Sequence, residues 1–370
     1  MSPAARGALT DGRREVGCAS DAAAEALDGG HVSDVPHRRS SDEMPPDRNF
    51  ALELVRVTEA AALQAARWVG RGDKEAADQA AVDGMHAILH TIHMDGVVVI
   101  GEGEKDEAPM LHNGEQVGDG TPPQVDIAVD PLEGTRLCAF GMPSALAVIA
   151  LSEKGTMFDP GPCVYMEKMA GGPQITDLLD LDRPLGKTIE LVAERKGTDP
   201  NDVMVVVLDR PRHEEGIDAI RKAGGRVRLI TDGDVSAALL AVAPDRPVDL
   251  LWGIGGTPEG VISAAALKCY GGGLIGRLWP RDDDERKAAV DAGYDLDRVL
   301  SQDDLVKGDN AFFSATGVTD GDVLEGVRYE GTAGASTESL VMRSRSGTVR
   351  RIQSRHDRSK LRRLTGFRYG

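Results

Sequence analysis

The sequence predicts an α/β protein, and two observations carry that prediction. Beyond about residue 200, three successive segments each run from a β-branched stretch through a polar loop into a helical stretch, the order of a largely parallel sheet with helices on its faces. The chain also has 370 residues, of which 41% are hydrophobic, so it can bury a sizeable core and form more than one lobe.

The predicted elements begin with two helices after a polar tail. Residues 1–48 are rich in Ala, Gly, Asp, Arg, Ser and Pro and hold few large apolar residues, so we expect them to be disordered. Apolar residues at helical spacing then predict a helix from Phe50 to Val69. After a Gly-Arg-Gly turn, Asp73 is expected to cap a second helix that extends to about His93.

Six apolar or β-branched runs predict strands. Three fall in the first half of the ordered chain and three in the second, at residues 97–100, 125–129, 144–151, 203–208, 226–230 and 248–252. Each of the last three precedes a helix, and the third of these helices begins at Pro258. Polar loops follow these strands, at the ends where ligands bind in α/β sheets.

The charge and composition exclude several classes of partner. A formal net charge of −17 argues against nucleic acid and anionic membranes. Residues 343–370 carry ten Arg and Lys, but apolar positions around Val349 and Ile352 favour a packed strand over a nucleic-acid-binding tail. No apolar run approaches the about 20 residues that cross a bilayer, and the four cysteines form no C-x-x-C pair. A cytoplasmic location is therefore expected.

Acidic side chains in and near these loops are candidate ligands for a hard divalent cation, which prefers carboxylate oxygen. They fall into four groups along the chain: Asp78; Glu102, Glu104 and Asp106; Asp130 and Glu133; and Glu259. Asp130 and Glu133 are three residues apart across a proline turn, so both can point at one pair of ions. Two such ions can stabilise the attacking and the leaving oxygen of a phosphoryl displacement.

Each acidic group also has a purely structural interpretation. Asp78 lies four residues after Lys74 and could form a surface ion pair. Glu259 follows Pro258 at the start of a helix and could complement the helix dipole. The acids of 102–106 could be a solvated loop. Asp130 is harder to explain in this way, because it directly follows a buried strand.

Candidate anion-binding groups accompany the acids. Arg210, Pro211, Arg212 and His213 lie just before a helix, whose N-terminal N–H groups favour phosphate. Gly255-Gly256-Thr257 before Pro258 offers the same arrangement, and Gly134-Thr135 could add N–H groups and a hydroxyl. The alternative is that the arginines are surface residues and the glycines only form tight turns.

Three other motifs do not support a site on sequence grounds. Gly186-Lys187-Thr188 lacks the earlier glycine of a phosphate-binding loop, and acids beside Gly101 and Gly103 would repel a dinucleotide pyrophosphate. His86, His90 and His93 share one helix face and could bind zinc, but no acidic or cysteine partner sits among them.

Together, these loops resemble those of the class II fructose-1,6-bisphosphatases over about residues 49–356. The matching motifs occur in the family's order: Gly-Arg-Gly-Asp-Lys at 70–74, Gly-Glu-Gly-Glu-Lys-Asp-Glu-Ala-Pro-Met-Leu at 101–111, Asp-Ile-Ala-Val-Asp-Pro-Leu-Glu-Gly-Thr at 126–135, Tyr-Met-Glu-Lys at 165–168, Arg-Pro-Arg-His at 210–213, Asp-Gly-Asp at 232–234 and Gly-Ile-Gly-Gly-Thr-Pro-Glu-Gly at 253–260. The 126–135 motif is also similar to the signature of the wider lithium-sensitive sugar phosphatase superfamily, with Glu133 in place of an Asp.

The resemblance implies a layered αβαβα sugar-phosphatase fold of two lobes with the active site between them. The expected N-terminal metal-binding lobe is 49–198, to which 336–370 returns, and the C-terminal α/β lobe is 199–335. By position, the resemblance implies that Mg²⁺ or Mn²⁺ is held by Asp78, Glu102, Asp130, Glu133 and Glu259. It implies substrate contacts by Glu133, Gly134, Thr135, Tyr165, Arg210, Pro211, Arg212, Asp232, Gly233, Asp234 and Gly256.

The resulting hypothesis is metal-dependent hydrolysis of the 1-phosphate of fructose 1,6-bisphosphate, a gluconeogenic reaction, by a cytoplasmic homo-oligomer (a dimer or tetramer). Asp106 and Thr135 match the family's acid–hydroxyl pair that activates the attacking water, and Lys74 lies close to the same site. Arg210 and Arg212 would hold the distal phosphate. Two alternatives stay open: a phosphatase for sedoheptulose 1,7-bisphosphate or another sugar or inositol phosphate, and a non-catalytic regulator that binds sugar phosphates.

Overall fold

Helices and strands alternate along the chain in the computed structural model, which describes residues 48–103, 110–243, 247–331 and 334–365, without the side chains of 363–365. Within these ranges the α-helices are α1 Ala51–Ala65, α2 Lys74–Leu89, α3 Thr135–Ala139, α4 Leu185–Lys196, α5 Glu214–Lys222, α6 Asp234–Val242, α7 Thr257–Tyr270, α8 Asp283–Asp291, α9 Gln302–Leu305 and α10 Arg358–Thr365. The predicted disordered tail, apart from Arg48, lies outside the described residues.

The strands in the same ranges are β1 Asp95–Ile100, β2 Gln116–Val117, β3 Gln124–Glu133, β4 Leu146–Glu153, β5 Tyr165–Gly171, β6 Met204–Leu208, β7 Arg226–Ile230, β8 Leu250–Gly256, β9 Gly273–Leu278, β10 Leu300–Ser301, β11 Phe312–Gly317, β12 Arg328–Glu330, β13 Gly334–Arg343 and β14 Thr348–Asp357. All six predicted strands are present. The strand predicted around Val349 and Ile352 is β14; Ile352 packs against a buried cluster, but Val349 is 40% exposed.

The first two helices form where the apolar spacing predicts them. The Asp73 carboxylate accepts the Ala76 N–H at 3.0 Å and caps α2. Because α2 ends at Leu89, it is shorter than the helix predicted to reach His93. Asp95 already belongs to β1, so residues 90–94 serve as the connection.

The first sheet has eight strands in the order β12-β13-β11-β4-β3-β1-β2, with β14 paired to β13. Among its pairs in the described residues, only β1 and β3 run parallel. The second sheet has six strands in the order β10-β9-β5-β8-β6-β7. Strand β6 runs parallel to β7 and β8, as expected for the three strand–loop–helix units.

The prediction of a largely parallel second sheet is wrong beyond these three strands. Strand β5 pairs antiparallel with β8 and β9, and β9 pairs antiparallel with β10. The reason is that β5 lies between β8 and β9 and runs opposite to both, so β9 has the direction of β6, β7 and β8 but pairs with none of them. The chain changes sheets between β4 and β5 and again between β10 and β11, whereas the predicted lobe boundaries fall at 198 and 335.

Apolar packing sorts the helices into three layers around the two sheets. Helices α1 and α2 pack on the outer face of the eight-stranded sheet, and α4 and α5 on the outer face of the six-stranded sheet. Helices α6 and α7 lie between the sheets. All nine residues of α6 are buried, as expected of a helix in a core. The α/β class is confirmed. Among the described residues, no helix is long and apolar enough to cross a membrane.

Candidate active site

Two adjoining cavities lie where α2, α3 and α7 begin and β3 and β8 end. The first has a volume of about 580 Å³ and the second about 340 Å³. They share the wall formed by Asp130, Gly134, Asp232, Pro258 and Glu259. Most of the residues predicted from the sequence to form the site line one or both of these cavities.

The predicted cation ligands meet at these cavities. Asp78, Glu102, Asp130 and Glu259 line the first cavity, and Asp130, Glu133 and Glu259 line the second. They come from four different elements, since Asp78 lies on α2, Glu102 follows β1, Glu259 begins α7 and the other two lie on β3. The two predicted ligands on β3, like Gly256 on β8, are therefore part of a strand rather than of a loop.

A bulge in β3 explains how Asp130 and Glu133 reach the same wall. Residues three apart on a regular strand point to opposite faces. Asp130 pairs with Val148 of β4, and Glu133 pairs with Leu146. The segment of β3 between these pairs is therefore one residue longer than the segment of β4 opposite it. Pro131 has no N–H for the ladder, and the extra residue turns Glu133 back to the side of Asp130. The Leu132 N–H donates to Asp130 Oδ1 at 3.1 Å and orients that carboxylate.

Asp78 and Glu102 form a carboxyl pair at the first cavity. Their side chains share a hydrogen bond, and the Thr135 hydroxyl lies 3.3 Å from Asp78 Oδ1 and 3.0 Å from the Leu132 carbonyl oxygen. Burial, together with the negative charge of Asp78, raises the pKa of Glu102 to about 8. Burial also raises the pKa of Asp78. No ion pair joins Asp78 to Lys74 in the described part of the chain, so the surface-pair interpretation is not supported.

The deeper carboxylates have too few protein partners for their charge. Burial raises the pKa of Glu133 to about 8, although the Val235 N–H donates to its Oε1 at 2.8 Å. Burial also raises the pKa of Glu259 and that of Asp130. One oxygen of Glu133 and one of Glu259 are buried with no hydrogen-bond partner among the described residues. Since an unpartnered buried carboxylate oxygen is costly, this donor set fits hard divalent cations.

Lys168 is a residue of this region whose role the sequence did not reveal. Its side chain is only 2% exposed, its Nζ lies 2.5 Å from Asp234 Oδ2, and it donates to the Gly256 carbonyl oxygen at 3.0 Å. Its charge opposes the rise in the pKa of Glu259. The sequence does contain one signal. Lys168 lies on β5 at a position where the alternation of exposed and buried side chains directs its side chain toward the interior. Asp234 lines the second cavity, but its carboxylate is held in this buried ion pair.

Glycine is required beside these carboxylates for steric reasons. A Cβ on Gly256 would overlap the carboxylate of Glu259, and one on Gly255 would overlap that of Asp234. Gly134 adopts φ 80°, a left-handed conformation that starts α3 directly after Glu133. The glycines therefore allow the close approach of backbone and carboxylates.

Basic residues line the second cavity. The Arg210 guanidinium donates to the Thr231 carbonyl oxygen at 2.7 Å and lies 3.5 Å from Asp232 Oδ1. The Arg212 guanidinium donates to the Ile254 carbonyl oxygen at 2.8 Å and lies over the Tyr165 ring at 5.0 Å. Burial raises the pKa of Asp232, and Arg210 and the unpredicted Arg136 oppose that rise.

The other predicted site residues are placed as follows. Gly233 lines the second cavity and Lys74 the first, where its Nζ lies 5.8 Å from the Phe140 ring. Pro211 begins a short 3₁₀ turn, Pro211–His213, that contains Arg212, and it does not line either described cavity. Asp106, together with Glu104, lies outside the described residues.

The raised pKa values predict that the metal-free protein loses stability as pH rises. Glu102 and Glu133 have an ordinary pKa of 4.5 and a pKa of about 8 in the fold. A carboxyl group with a raised folded pKa contributes stability at low pH, and that contribution disappears between the two values. The melting temperature in EDTA is therefore expected to fall from about pH 5 to about pH 8. Thermal unfolding followed by circular dichroism measures it.

Two controls separate this effect from the general acidity of the chain. Glu133→Gln should flatten the fall, and added Mg²⁺ should stabilise the unsubstituted protein more at about pH 8 than at about pH 5, because the ligands bind as carboxylates. A melting temperature in EDTA that is independent of pH, or a Mg²⁺ effect of equal size at both pH values, would contradict the interpretation.

The chain is similar to known proteins over most of its length. A family model described as "Bacterial fructose-1,6-bisphosphatase, glpX-encoded" matches residues 48–356. A Haemophilus influenzae protein named "Fructose-1,6-bisphosphatase class 2" is 46% identical over 323 residues, which cover 84% of this chain and 96% of that protein. An Escherichia coli K12 protein named "Fructose-1,6-bisphosphatase 1 class 2" is 46% identical over 322 residues, which cover 84% of this chain and 95% of that protein.

Proposed function

This chain belongs to the family of glpX-encoded bacterial fructose-1,6-bisphosphatases, and from that membership we propose that it hydrolyses fructose 1,6-bisphosphate to fructose 6-phosphate and phosphate in gluconeogenesis. The observation that carries the proposal is the cluster of buried carboxylates, with unpartnered oxygens, beside a cavity that holds Arg210 and Arg212. Such a cluster needs cations, and the neighbouring arginines suit a second phosphate.

The proposed ligands are the five carboxylates of Asp78, Glu102, Asp130, Glu133 and Glu259. Their all-oxygen donor set favours Mg²⁺ or Mn²⁺ over softer metals. Bound divalent cations would neutralise charge at the scissile phosphate and at the departing oxygen. Lys168 supports the cluster by pairing with Asp234 and by bonding the Gly256 carbonyl oxygen, so the backbone beside Glu259 is fixed.

Thr135 is the proposed proton-transfer residue. Its Oγ1 lies on the wall of the first cavity and can accept a proton from an attacking water while its own proton passes to a neighbouring acceptor. Asp106 is the acid that the family resemblance pairs with Thr135. Among the described residues, the carboxylate that accepts this hydroxyl is Asp78. Lys74, on the same cavity wall, is proposed to stabilise negative charge that develops on the phosphate.

The second cavity is the proposed subsite for the sugar and its distal phosphate. Arg210 and Arg212 would bind that phosphate, and the Asp232–Asp234 loop and Tyr165 would contact the sugar. The backbone N–H groups of Gly134, Thr135 and Gly256 would donate to the scissile phosphate, since α3 and α7 begin beside them. Pro211 acts only by fixing the turn that follows Arg210 and contains Arg212.

A phosphate-release assay tests the proposed function. The purified protein is given fructose 1,6-bisphosphate with EDTA, Mg²⁺ or Mn²⁺, and sedoheptulose 1,7-bisphosphate and an inositol phosphate are compared at equal concentration. We expect release only with a divalent cation and a higher kcat/KM for fructose 1,6-bisphosphate. Preference for another substrate would assign a different phosphatase specificity, and binding without release would assign a regulator.

Arg210→Ala is expected to raise the KM for fructose 1,6-bisphosphate by roughly 10–100-fold, because a hydrogen bond to a charged group contributes about 1.5–3 kcal/mol. The kcat should change much less, since the distal phosphate is bound equally in the ground and transition states. Steady-state kinetics measures both parameters, and Arg210→Lys should restore part of the affinity.

Arg228→Ala is the matched control for Arg210→Ala. Arg228 lies on β7 and pairs with Asp322 rather than with a cavity residue. Its removal changes the net charge equally and should leave KM unchanged. If both variants raised KM by the same factor, the effect would be one of overall charge, and the proposed subsite would be wrong.

We propose a cytoplasmic homo-oligomer, a dimer or tetramer, for this enzyme. The outer edge of β14 supports self-association, because no strand in the described ranges pairs with it and an unpaired edge is a template for another chain. We also propose the division into a metal-binding lobe of 49–198 with 336–370 and an α/β lobe of 199–335. The two separate sheets support two lobes but not these bounds, because β5 then falls in the first lobe and β11 and β12 in the second. Sedimentation equilibrium measures the oligomeric state.

A further inference from the structure

Three side chains outside the two cavities converge on one point at the C-terminal end of α2. They are His86 in the last turn of the helix, His90 at its C-cap and Glu115 just before β2, and we call them the histidine site. Their ligand atoms all lie within 4.8 Å of one another. His93 is not part of the histidine site, because its ring pairs with Asp119. The sequence prediction that the helix histidines lack an acidic partner is therefore wrong.

Hydrogen bonding alone does not satisfy the histidine site. His86 Nε2 lies 2.9 Å from Glu115 Oε1 and 3.0 Å from His90 Nε2. A ring nitrogen has one in-plane position, which holds either a proton or a lone pair. His86 Nε2 can therefore donate to Glu115 or accept from His90, but it cannot do both. A cation at the centre would accept a lone pair from all three atoms.

The spacing fits a tetrahedral transition-metal ion. The third distance, from His90 Nε2 to Glu115 Oε1, is 3.8 Å, so the three separations are 2.9, 3.0 and 3.8 Å. Bonds of about 2.1 Å at tetrahedral angles place ligand atoms roughly 3.4 Å apart. Small side-chain adjustments would bring the three atoms to that geometry. Imidazole donors suit Zn²⁺ and disfavour Mg²⁺.

Neighbouring groups hold the ligands in place and leave one side open. The His112 N–H lies 3.3 Å from Glu115 Oε2, and the Glu115 backbone N–H donates to the His112 carbonyl oxygen at 3.0 Å. Hydrogen bonds of this kind orient metal ligands. Glu115 is 14% exposed and His90 is 40% exposed, so solvent can supply a fourth ligand.

We propose that His86, His90 and Glu115 form a Zn²⁺ site that fastens the C-terminal end of α2 to the segment before β2. The site is separate from the carboxylate cluster, because eight residues of helix, about 12 Å, separate His86 from Asp78 on the same helix. Its donors differ as well, since none of the carboxylate cluster's ligands is an imidazole. The proposal does not depend on the proposed function.

Calorimetric titration with Zn²⁺ tests the site in the full chain, with Mg²⁺ present in excess to occupy the carboxylate cluster. We expect one strong Zn²⁺ site in the unsubstituted protein, and a rise in melting temperature when it fills. His90→Asn and Glu115→Gln should each weaken Zn²⁺ binding by at least about 10–100-fold. His93→Asn, in the connection that follows α2, is the matched control and should bind Zn²⁺ like the unsubstituted protein.

X-ray absorption at the zinc edge identifies the ligands, which distinguishes the histidine site from Zn²⁺ in the carboxylate cluster. Two imidazoles are expected, and they should disappear in the His86→Asn/His90→Asn variant. All variants should keep the zinc-free melting temperature, which shows that they are folded. Unchanged Zn²⁺ affinity in the double variant, or a spectrum with oxygen ligands alone, would overturn the proposal.

Discussion

Asp130→Asn is expected to remove nearly all phosphate release while it raises the melting temperature of the metal-free protein at about pH 8. The substitution keeps the shape of the side chain, and the amide oxygen can still accept the Leu132 N–H. Burial and the charges of Glu133, Glu102 and Glu259 raise the pKa of Asp130 well above its usual range, so a neutral side chain relieves repulsion. The lost ligand charge should lower kcat by about 10²–10³ or more.

The two effects are measured separately, by phosphate release with Mg²⁺ and by thermal unfolding in EDTA. Asp126→Asn is a control on the same strand: Asp126 Oδ2 accepts the N–H groups of Thr156 and Met157 at 2.8 and 3.1 Å. Its substitution should lower the melting temperature and leave the response to Mg²⁺ intact. Near-normal kcat in Asp130→Asn, or a lower melting temperature in EDTA, would contradict the assigned role.

Thr135→Ala is expected to lower kcat by about 10²–10⁴, the usual contribution of a positioned proton-transfer group. The KM should stay nearly constant, because the hydroxyl acts on the attacking water rather than on bound sugar phosphate. Alanine is compatible with the first turn of α3, so the fold should be retained. Steady-state kinetics with saturating Mg²⁺ provides the measurement.

Two further substitutions test whether the hydroxyl itself matters. Thr135→Val keeps the branched shape without the hydroxyl and should be as slow as Thr135→Ala. Thr135→Ser keeps the hydroxyl and should recover most of the turnover. Full turnover in Thr135→Ala would exclude the proposed proton transfer, and an equal loss in all three variants would also contradict it, because Thr135→Ser retains the hydroxyl.

Much of the candidate site follows from local sequence rules. Asp130 ends an apolar strand, Glu259 follows a proline at the start of a helix, and Asp78 lies one turn into a capped helix. Ends of strands and beginnings of helices meet at one side of a layered α/β fold, so these acids are brought together without any long-range information. The αβαβα order itself came from the family resemblance, because the pattern of a single strand carries no information about how sheets and helices are layered.

The residues that sequence reasoning missed depend on contacts between distant segments. The role of Lys168 depends on its ion pair with Asp234, a residue of α6 that is distant in the sequence. The role of Glu115 depends on His86, from which it is separated along the chain by all of β1 and the segment that follows it. Strands β5 and β9 were not predicted at all, because both are short segments that mix polar residues and glycine with apolar residues.

The position of β11 has a consequence for the making of the protein in the cell. This strand lies between β4 and β13, with Phe312 opposite Leu151, so the first sheet is completed by a segment that emerges from the ribosome roughly 160 residues after β4. Translation proceeds at about 5–20 residues per second, so one apolar edge of β4 remains unpaired for roughly 10–30 s. During translation the nascent chain therefore presents a surface that chaperones bind, and the sheet closes only when synthesis is nearly finished.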